Sequence, residues 1–496
     1  MSVSQATLAR RTMGAGSLIG ISMVASSPQT VLNGGIPTMY GTGVLGVPLA
    51  FLVVMVVLAW LSAGSTAMSR HVLHGAPFYA QLALGFGPTW GLVGAGIALV
   101  GYSGLQISLY AVFGTAVAGL LGFGAWWMWA AVAWSIVLPL GQFPGAVIAR
   151  FLGVLLACEI GIVLAFDAAG FANPAAGTTI SLAGFAPSNL LGIGAGGAAG
   201  AGALVFAGAA YAGAEALPAF GEEARSPRVV AVATYSGYAL LGILYALTAW
   251  AYATVVGPAD LANAEQDPAN APMAILDRVW GPGLGGLGIV LLLTSVLASM
   301  SAFHGFIARY IFALGRENVL PTAFAAVTPG KRGGAPKGGA ATQAATSAIV
   351  VAVFAVCGAD PMQTAFVWLS TIGAVCVLIL LMLSSFAAQS FFAKGAGGGE
   401  SPVFRFALQA VPFSGGVLGI LALAFMLSNL DSLLGLAPGS RLPWLIGGLL
   451  LAVVLGTAGV VGRWLRANRP QDYARLGQGT PDPVMVRDAR LEGLQL

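Results

Sequence analysis

Charged residues are scarce in this chain of 496 residues, where Asp, Glu, Lys and Arg together make up 8%. Soluble globular proteins carry about 25% charged residues, so the composition excludes an ordinary soluble domain. The hydrophobic share of 58% indicates instead a protein that crosses a lipid bilayer many times. The small net charge of +4, without a basic patch interleaved with aromatic residues, gives no indication of nucleic acid as a partner.

Cysteine and histidine are also rare, with three residues of each. Cys158, Cys357 and Cys376 lie within apolar runs, so we expect inert side chains rather than disulfides or ligands. His71 and His74 lack a third ligand nearby, which favours a loop role over a metal site. The chain has no Gly-x-x-x-x-Gly-Lys-Ser/Thr motif and no nucleophile–base cluster, so we predict neither ATP drive nor an enzyme, and no cofactor.

Twelve apolar segments are long enough to cross a bilayer, which takes about 17 to 25 residues. They lie near 14–33, 44–68, 88–120, 125–143, 145–167, 199–220, 229–256, 285–314, 341–358, 363–392, 411–429 and 442–463. With the N-terminus inside, all but Arg278 and Arg441 of the 21 Lys and Arg residues fall on the cytoplasmic side. This asymmetry predicts an all-α integral protein of the cell membrane with both termini in the cytoplasm.

The spans suggest two halves of five helices followed by two further helices. We expect a cytoplasmic N-terminus over 1–13, repeats over 14–167 and 199–392, an extracellular loop over 168–198, two added helices over 411–463 and a cytoplasmic tail over 466–496. The tail is predicted to be disordered, because prolines lie among its charged residues.

Small residues interrupt spans 1 and 6, which occupy corresponding places in the two halves. Paired broken helices are the sequence sign of a substrate site in inverted-repeat transporters. We expect the site to be formed by Gly20, Ile21, Ser22, Ala209, Ala210, Tyr211 and Gly213. A substrate carboxylate would bind the amides of the half-helices, and its ammonium group would bind the freed carbonyls.

Two acids lie within apolar spans, Glu215 in span 6 and Glu159 in the middle of span 5. A charge that faces lipid is costly, so each side chain is expected to face protein or a water-filled cavity. Glu215 is the first candidate for proton or substrate coupling, and a structural acid bonded to freed backbone is the alternative. For Glu159 a coupling role and a structural role are given equal weight. In a coupling role it would bind a proton, a sodium ion or an ammonium group.

Further polar side chains are candidates for the site. Gln106 shares a face of span 3 with Tyr102 and Tyr110 and is expected either to line the pocket or to bond between helices. Tyr211 is expected either to line the site or to pack in a helix interface. His304 in span 8 is a candidate proton shuttle.

Three stretches resemble the amino acid–polyamine–organocation (APC) superfamily. The run Tyr211-Ala-Gly-Ala-Glu215, followed six residues later by Glu222-Glu223-Ala-Arg-Ser-Pro227-Arg228, is similar to its sixth-helix signature. The first span matches the pattern Gly-x-Gly-x-x-Ile-Gly-x-Gly, except that Ser22 replaces the last glycine. Residues 308–321 resemble the end of its eighth helix, so the likeness covers spans 1 to 10.

This resemblance implies the leucine-transporter fold, a 5+5 inverted repeat with broken helices 1 and 6 plus two extra helices. It implies a secondary active permease that moves an amino acid or related amine by alternating access and is proton-coupled, with sodium coupling or exchange as alternatives. Ser299 and Ser301 would then be possible sodium ligands. Independently of the resemblance, the charged residues after span 6 are expected to be gating or topology charges at the cytoplasmic mouth; they are Glu222, Glu223, Arg225 and Arg228. An amino acid sensor without transport activity is the alternative of another class.

Overall fold

The computed structural model describes residues 8, 11–190, 198–261, 263, 270–329, 334–395, 402–437 and 439–479, and these are mostly helical. Ten of the described helices are long and apolar enough to cross a membrane. A broken first helix and the shorter Trp126–Leu140 complete the twelve predicted spans.

We number the spans α1 to α12. Their bounds are α1 Ala15–Ser26, continued after Ser27 by Pro28–Thr30, Val31–Gly35 and Ile36–Gly41; α2 Val47–Met68; α3 Pro88–Leu121; α4 Trp126–Leu140; α5 Gly145–Ala172; α6 Ala198–Ala210, continued by Ala214–Phe220; α7 Pro227–Val256; α8 Leu284–Arg316; α9 Lys337–Val356; α10 Pro361–Phe366 with Val367–Ala393; α11 Pro402–Ser428; and α12 Leu442–Asn468. Short helices outside the spans include Pro77–Phe86 and Ala271–Trp280.

Three predicted boundaries need correction. α1 continues to Gly41 rather than ending near 33, because Pro28 is tolerated at the first position of the resumed helix. α5 continues past 167 to Ala172, since Asp167 bonds within the protein and does not end the helix. α11 begins at Pro402 rather than at 411, again with proline at a helix start.

The central bundle is formed by α1 and α6 with the helices packed around them. α1 contacts α5, α7 and α8, and the resumed part of α6 contacts α1, α7 and α8. Large apolar side chains such as Trp60, Val154, Ile243 and Leu445 are exposed on the outer surface. Exposed apolar side chains on long apolar helices are the surface expected to face lipid. The prediction of an all-α membrane protein is confirmed.

The predicted disordered tail is ordered over its first part. α12 continues to Asn468, and Pro470–Ala474 forms a further short helix whose Tyr473 hydroxyl lies 2.9 Å from the Thr89 hydroxyl of α3. The expectation of disorder over 480–496 lies outside the described residues, as does most of the predicted N-terminal segment. Lys331 and Arg332, two of the predicted cytoplasmic bases, also lie outside them.

Candidate functional site

The two broken helices meet at their breaks. α1 ends at Ser26, and Ser27 adopts a left-handed conformation with φ of 48° before the helix resumes at Pro28. α6 ends at Ala210 and passes through Gly213, whose φ is 100°, into a 3₁₀ segment. The Ser26 hydroxyl donates a hydrogen bond to the Ala212 carbonyl at 3.4 Å. Two irregular backbone segments are therefore in direct contact between membrane-spanning helices.

The break in α1 does not lie where the glycine pattern predicts it. Gly20, Ile21 and Ser22 lie inside the continuous helix Ala15–Ser26. The helix breaks at Ser27 instead, because proline disfavours the α-helical conformation in the residue before it. The informative signal was therefore Pro28 rather than the small residues. The predicted interruption of α6 over Ala209–Gly213 holds only for its second part, because Ala209 and Ala210 still belong to the helix and the turn begins at Tyr211.

Gly213 is required both by its conformation and by its close approach to α1. A Cβ atom at this position would lie 2.5 Å from the Ala25 Cβ atom. We expect Gly213→Ala to destabilise the protein by at least the roughly 1–2 kcal/mol that a left-handed alanine costs. Gly208→Ala is the control, because its Cβ atom would meet nothing within 4 Å in the same helix. A thermal unfolding midpoint of Gly213→Ala equal to that of Gly208→Ala would contradict this account.

Backbone carbonyls at the breaks are directed towards Tyr245 of α7. Its hydroxyl lies 3.3 Å from both the Ser26 carbonyl and the Ala210 carbonyl, the final residues of the two half-helices. The last carbonyls of a helix lack partners within the helix and carry the negative end of its dipole. One hydroxyl proton cannot satisfy both acceptors fully, so the breaks present a surface that attracts a donor or a cation. Sequence reasoning missed Tyr245, whose only signal was a tyrosine within an apolar span.

Tyr211 occupies the turn of α6 beside these carbonyls. Its hydroxyl donates to the Phe51 carbonyl of α2 at 2.8 Å. Its ring lies 5.6 Å from the Tyr245 ring in an edge-to-face arrangement. The hydroxyl is thus occupied, and the ring is the part of Tyr211 that remains for contact with a ligand.

Glu215 lies just after the break and is buried in protein rather than facing lipid, with 4% of its surface exposed. Its Oε2 atom accepts a hydrogen bond from the Gly213 amide at 2.9 Å, whereas its Oε1 atom has no partner. Tyr102 and Tyr238 lie close enough to interact with the carboxyl group, although the Tyr102 hydroxyl makes no hydrogen bond of good geometry. A buried oxygen without a partner is costly and therefore marks a place where a proton or a ligand can bind.

Glu159 of α5 caps the resumed part of α1. Its Oε1 atom accepts from the Gln29 amide at 2.8 Å and from the Ser295 hydroxyl of α8 at 2.6 Å. The Ser295 hydroxyl also lies 2.6 Å from that of Ser27. A carboxylate at a helix N-terminus is favourable, so these bonds give Glu159 a structural role at the break.

The predicted interaction of a substrate carboxylate with the half-helix amides meets competition from the protein. The Gln29 amide of α1 is taken by Glu159, and the Gly213 amide of α6 is taken by Glu215. Ala212 and Ala214 donate to backbone carbonyls of the same turn. The protein's own acids thus neutralise both helix starts.

The two candidate serines of α8 have different surroundings. The Ser299 hydroxyl donates to the Ala25 carbonyl in the last turn before the α1 break, at 2.7 Å. The Ser301 hydroxyl donates to the Leu297 carbonyl of its own helix, which is the commoner use of a helical serine. Ser299 is therefore at the break and Ser301 is not. Ser295, one helical turn earlier, was missed.

Gln106 lies in a polar cluster that connects α3, α8 and α9. Its Oε1 atom accepts from the Gln343 side chain at 2.6 Å, and its Nε2 atom lies 3.3 Å from the His304 ring. The Ser347 hydroxyl completes the cluster at 3.3 Å. Interhelical bonding, the alternative left open by the sequence, accounts for these contacts, and the structure does not bring Gln106 to the breaks.

Asp167 is a further buried acid that sequence reasoning did not single out. It has 4% of its surface exposed, and its Oδ2 atom accepts from the Thr248 hydroxyl of α7 at 3.2 Å. It was overlooked because the predicted span ended at this residue, where an acid at a membrane edge is unremarkable.

One buried and one partly buried ion pair close the end of the bundle that is predicted to be cytoplasmic. Arg316 of α8 donates to both carboxylate oxygens of Glu222, at 2.6 and 2.8 Å. Arg309 donates to Glu223 at 2.6 Å, and its guanidinium group lies 3.8 Å from the centre of the Phe220 ring. The predicted gate charges Glu222 and Glu223 thus connect the exit of α6 to α8.

The two gate acids respond differently to burial. Burial acts to raise the pKa of both, but the bidentate Arg316 outweighs it for Glu222, whose pKa is lowered. For Glu223 burial prevails over Arg309, and its pKa is raised. Glu223 also accepts from the Gly145 amide of α5, and its carbonyl accepts from the Thr12 and Met13 amides before α1.

Glu317, at the end of α8, binds the C-terminal segment to the same end of the bundle. Its carboxylate accepts from His74 at 2.8 Å, Tyr79 at 2.6 Å and the Gly477 and Gly479 amides at 2.8 and 3.0 Å. Burial alone would raise its pKa, but these donors lower it from 4.5 to about 2.

The lowered pKa of Glu317 predicts a pH-dependent contribution to stability. A depressed carboxylate stabilises the folded state above its ordinary pKa, and the contribution is lost as the pH falls from 4.5 towards 2. At neutral pH this shift in the pKa of Glu317 corresponds to roughly 3 kcal/mol of stabilisation of the folded state. We expect Glu317→Gln to lower the unfolding midpoint at pH 7. As the pH falls below 4, the midpoint of the variant should approach that of the unmodified protein. A midpoint difference that does not change with pH would contradict the assignment.

A cavity of about 280 Å³ adjoins the α6 break and is bordered by α2, α6, α10 and α11. Gly208, Ala209, Tyr211, Ala212 and Glu215 line it on the α6 side. The other described lining residues are aliphatic or aromatic, so Glu215 is the one charged group among them. The volume is near the lower limit of small-molecule pockets, about 300 to 1,000 Å³.

The comparisons with known proteins identify the fold. No protein-family model and no curated protein matches the chain. Among solved structures, a manganese transporter from Eremococcus coleocola in complex with an aromatic bis-isothiourea compound aligns over 93% of this chain and 94% of that one, with a TM-score of 0.54 and 12% identity. Two variants of that transporter align over the same shares with a TM-score of 0.52, at 12% and 11% identity. At such identity the likeness shows the fold alone, and this chain has the fold of a membrane transporter.

Proposed function

We propose that this protein is a secondary active transporter that moves a small solute with an amino group, an amino acid or related amine, by alternating access. The observation that carries the proposal is the contact between the breaks of α1 and α6, through Ser26 and Ala212. Irregular backbone at membrane depth persists where it lines a cavity or is buried in protein, and in transporters it forms the binding site. The shared fold supports this assignment.

In the proposed mechanism the carbonyls of Ser26 and Ala210 bind the amino group in place of the shared Tyr245 hydroxyl. Glu215 takes up the coupling proton at its unpartnered Oε1 atom. The pairs Glu222–Arg316 and Glu223–Arg309 hold the predicted cytoplasmic end closed and separate when that end opens. A ligand shifts such an equilibrium only by its different affinity for the two states, and the freed carbonyls provide that difference.

Manganese transport is the rival suggested by the fold neighbours. Within the described ranges, no group of three or more His, Cys, Asp or Glu side chains is arranged to hold a metal ion. Sodium coupling is a second rival, supported by the Ser299 hydroxyl beside the Ala25 carbonyl. An amino acid sensor would bind the same ligands without moving them.

Counterflow in proteoliposomes tests these alternatives together. Purified protein is loaded with one unlabelled amino acid or amine, and entry of the labelled compound is followed under imposed pH or sodium gradients. We expect exchange with at least one amino compound and accumulation that follows the pH gradient. Binding without exchange would favour a sensor, accumulation that follows only sodium would remove proton coupling, and uptake of Mn²⁺ alone would overturn the proposal.

A further inference from the structure

The cavity beside the α6 break combines one acid with an apolar wall. Glu215 reaches it from the turn of α6, while Val54, Leu61, Val377, Leu381 and Met426 are among its apolar lining residues. The Glu215 carboxyl is almost fully buried, and its Oε1 atom has no hydrogen-bond partner. A buried carboxylate needs a cation or a proton, because leaving it unpaired in a medium of low dielectric constant is costly.

The same cavity offers nothing for an anionic group. The amides of Tyr211, Ala212, Gly213 and Ala214 in the adjoining turn are all engaged within the protein. The described lining residues include no Lys or Arg side chain. A carboxylate placed there would lose its water without gaining a donor, and it would lie near Glu215, which carries charge of the same sign.

We propose that the transported solute is an aliphatic amine without a carboxylate, which binds with its ammonium group on Glu215 and its hydrocarbon part in this cavity. The inference rests on the proposed function and narrows its substrate class. It also moves the ammonium group from the Ser26 and Ala210 carbonyls to Glu215, where it competes with the coupling proton. The cavity volume of about 280 Å³ suits a small amine. The aliphatic wall favours a hydrocarbon body, since transfer of apolar surface from water to an apolar environment is favourable.

Three compounds with one carbon skeleton separate the contributions of charge and shape. These are 3-methylbutylamine, leucine, which adds a carboxylate, and 3-methylbutanol, which lacks the ammonium group. We expect the amine to raise the unfolding midpoint of the purified full chain and to drive counterflow, and leucine to bind at least about 100-fold more weakly because its carboxylate finds no donor. The alcohol should produce no shift at the same concentration.

Two substitutions and one control substitution locate the binding site. Gly208→Leu fills the cavity, because a Cβ atom there meets nothing within 4 Å, and it should abolish amine binding. Gly456→Leu introduces the same side chain into equally open space on α12 and should leave binding unchanged. Glu215→Gln should weaken amine binding by about 10- to 100-fold, the usual contribution of a charge-assisted hydrogen bond.

The outcomes separate this inference from the proposed function. Counterflow of leucine at equal or higher affinity than the amine would overturn the inference and leave an amino acid transporter. Equal midpoint shifts with amine and alcohol would reveal an apolar void that does not recognise charge, and would also overturn it. If a series of amines from three to eight carbons neither binds nor exchanges, the inference fails whatever leucine does. If leucine is also inactive, the proposed function loses its support.

Discussion

Proteoliposomes that contain Glu215→Gln should no longer accumulate substrate when a pH gradient is imposed. Some exchange of internal for external substrate should remain. The Gln side chain keeps an oxygen that accepts hydrogen bonds but cannot bind and release a proton. Because the Oε1 atom of Glu215 has no partner in the protein, a proton or an amino group can occupy it, but not both at once. Coupling arises from this exclusion, and substrate passage does not require it.

Glu159→Gln is the matched control, since it removes a second buried acid of the same type. Glu159 already accepts hydrogen bonds from the Gln29 amide and the Ser295 hydroxyl, so we expect a loss of stability with coupling retained. The measurement is accumulation ratio against imposed pH difference, with counterflow in parallel. Unchanged pH-driven accumulation in Glu215→Gln, or its loss only in Glu159→Gln, would contradict the assignment of the coupling role to Glu215.

Removal of one partner of a buried ion pair should open the predicted cytoplasmic end. Arg309→Gln leaves Glu223, 1% exposed, without its cation. An uncompensated buried charge costs about 3–5 kcal/mol, which is relieved when the end opens and water reaches the carboxylate. The double variant Arg309→Gln with Glu223→Gln should close again, because both charges are then absent.

A cysteine in place of Ala216 reports this opening, because Ala216 lies between the helix break and the gate and is 1% exposed. Cys158, Cys357 and Cys376 are first replaced by alanine, and labelling by a water-soluble maleimide is timed. We expect fast labelling in Arg309→Gln and slow labelling in the double variant. Equal labelling rates in the two variants would contradict the assignment of a gating role to the Glu223–Arg309 pair.

The gate prediction also has a defined pH dependence. The pKa of Glu223 is raised by burial even with Arg309 present, so its protonated form tolerates the closed state. A raised pKa stabilises the closed state at low pH, and this contribution is lost as the pH rises. The difference in labelling between Arg309→Gln and the double variant should therefore grow from pH 6 to pH 8.

Local patterns in the chain predicted much of the fold. Twelve spans were predicted because hydropathy over about 20 residues is a property of each segment alone. The break in α6 was predicted because Gly208 and Gly213 make its centre a weak helix. The structure adds that Gly213 adopts a left-handed conformation there. The break in α1 was misplaced, since several small residues precede Pro28 and only packing shows that Gly20 and Ser22 remain helical.

The candidate site was likewise predicted in part from the sequence and decided in part by helix packing. A lone carboxyl group in an apolar segment marked Glu215 and Glu159, because such a group is costly wherever it lies in a membrane. Their different environments followed from helix packing: Glu159 meets the amide of a resumed helix and a serine from α8, whereas one oxygen of Glu215 is left open. Gln106 shared a helix face with Tyr102 yet bonds to α9, which span 3 by itself does not reveal.

By itself, the sequence determined that this chain lies in a membrane, how many times it crosses it and that Glu215 and Glu159 lie within apolar segments, because transfer from water to lipid is a property of each segment. The tertiary structure decided which breaks meet, which carboxylate oxygens lack a partner, among them Glu215 Oε1 and Asp167 Oδ1, and which arginine pairs with which glutamate. Glu223 and Arg309 are 86 positions apart, and Glu222 and Arg316 are 94 apart. Such pairings depend on the packing of α6 against α8, and no local pattern specifies that packing.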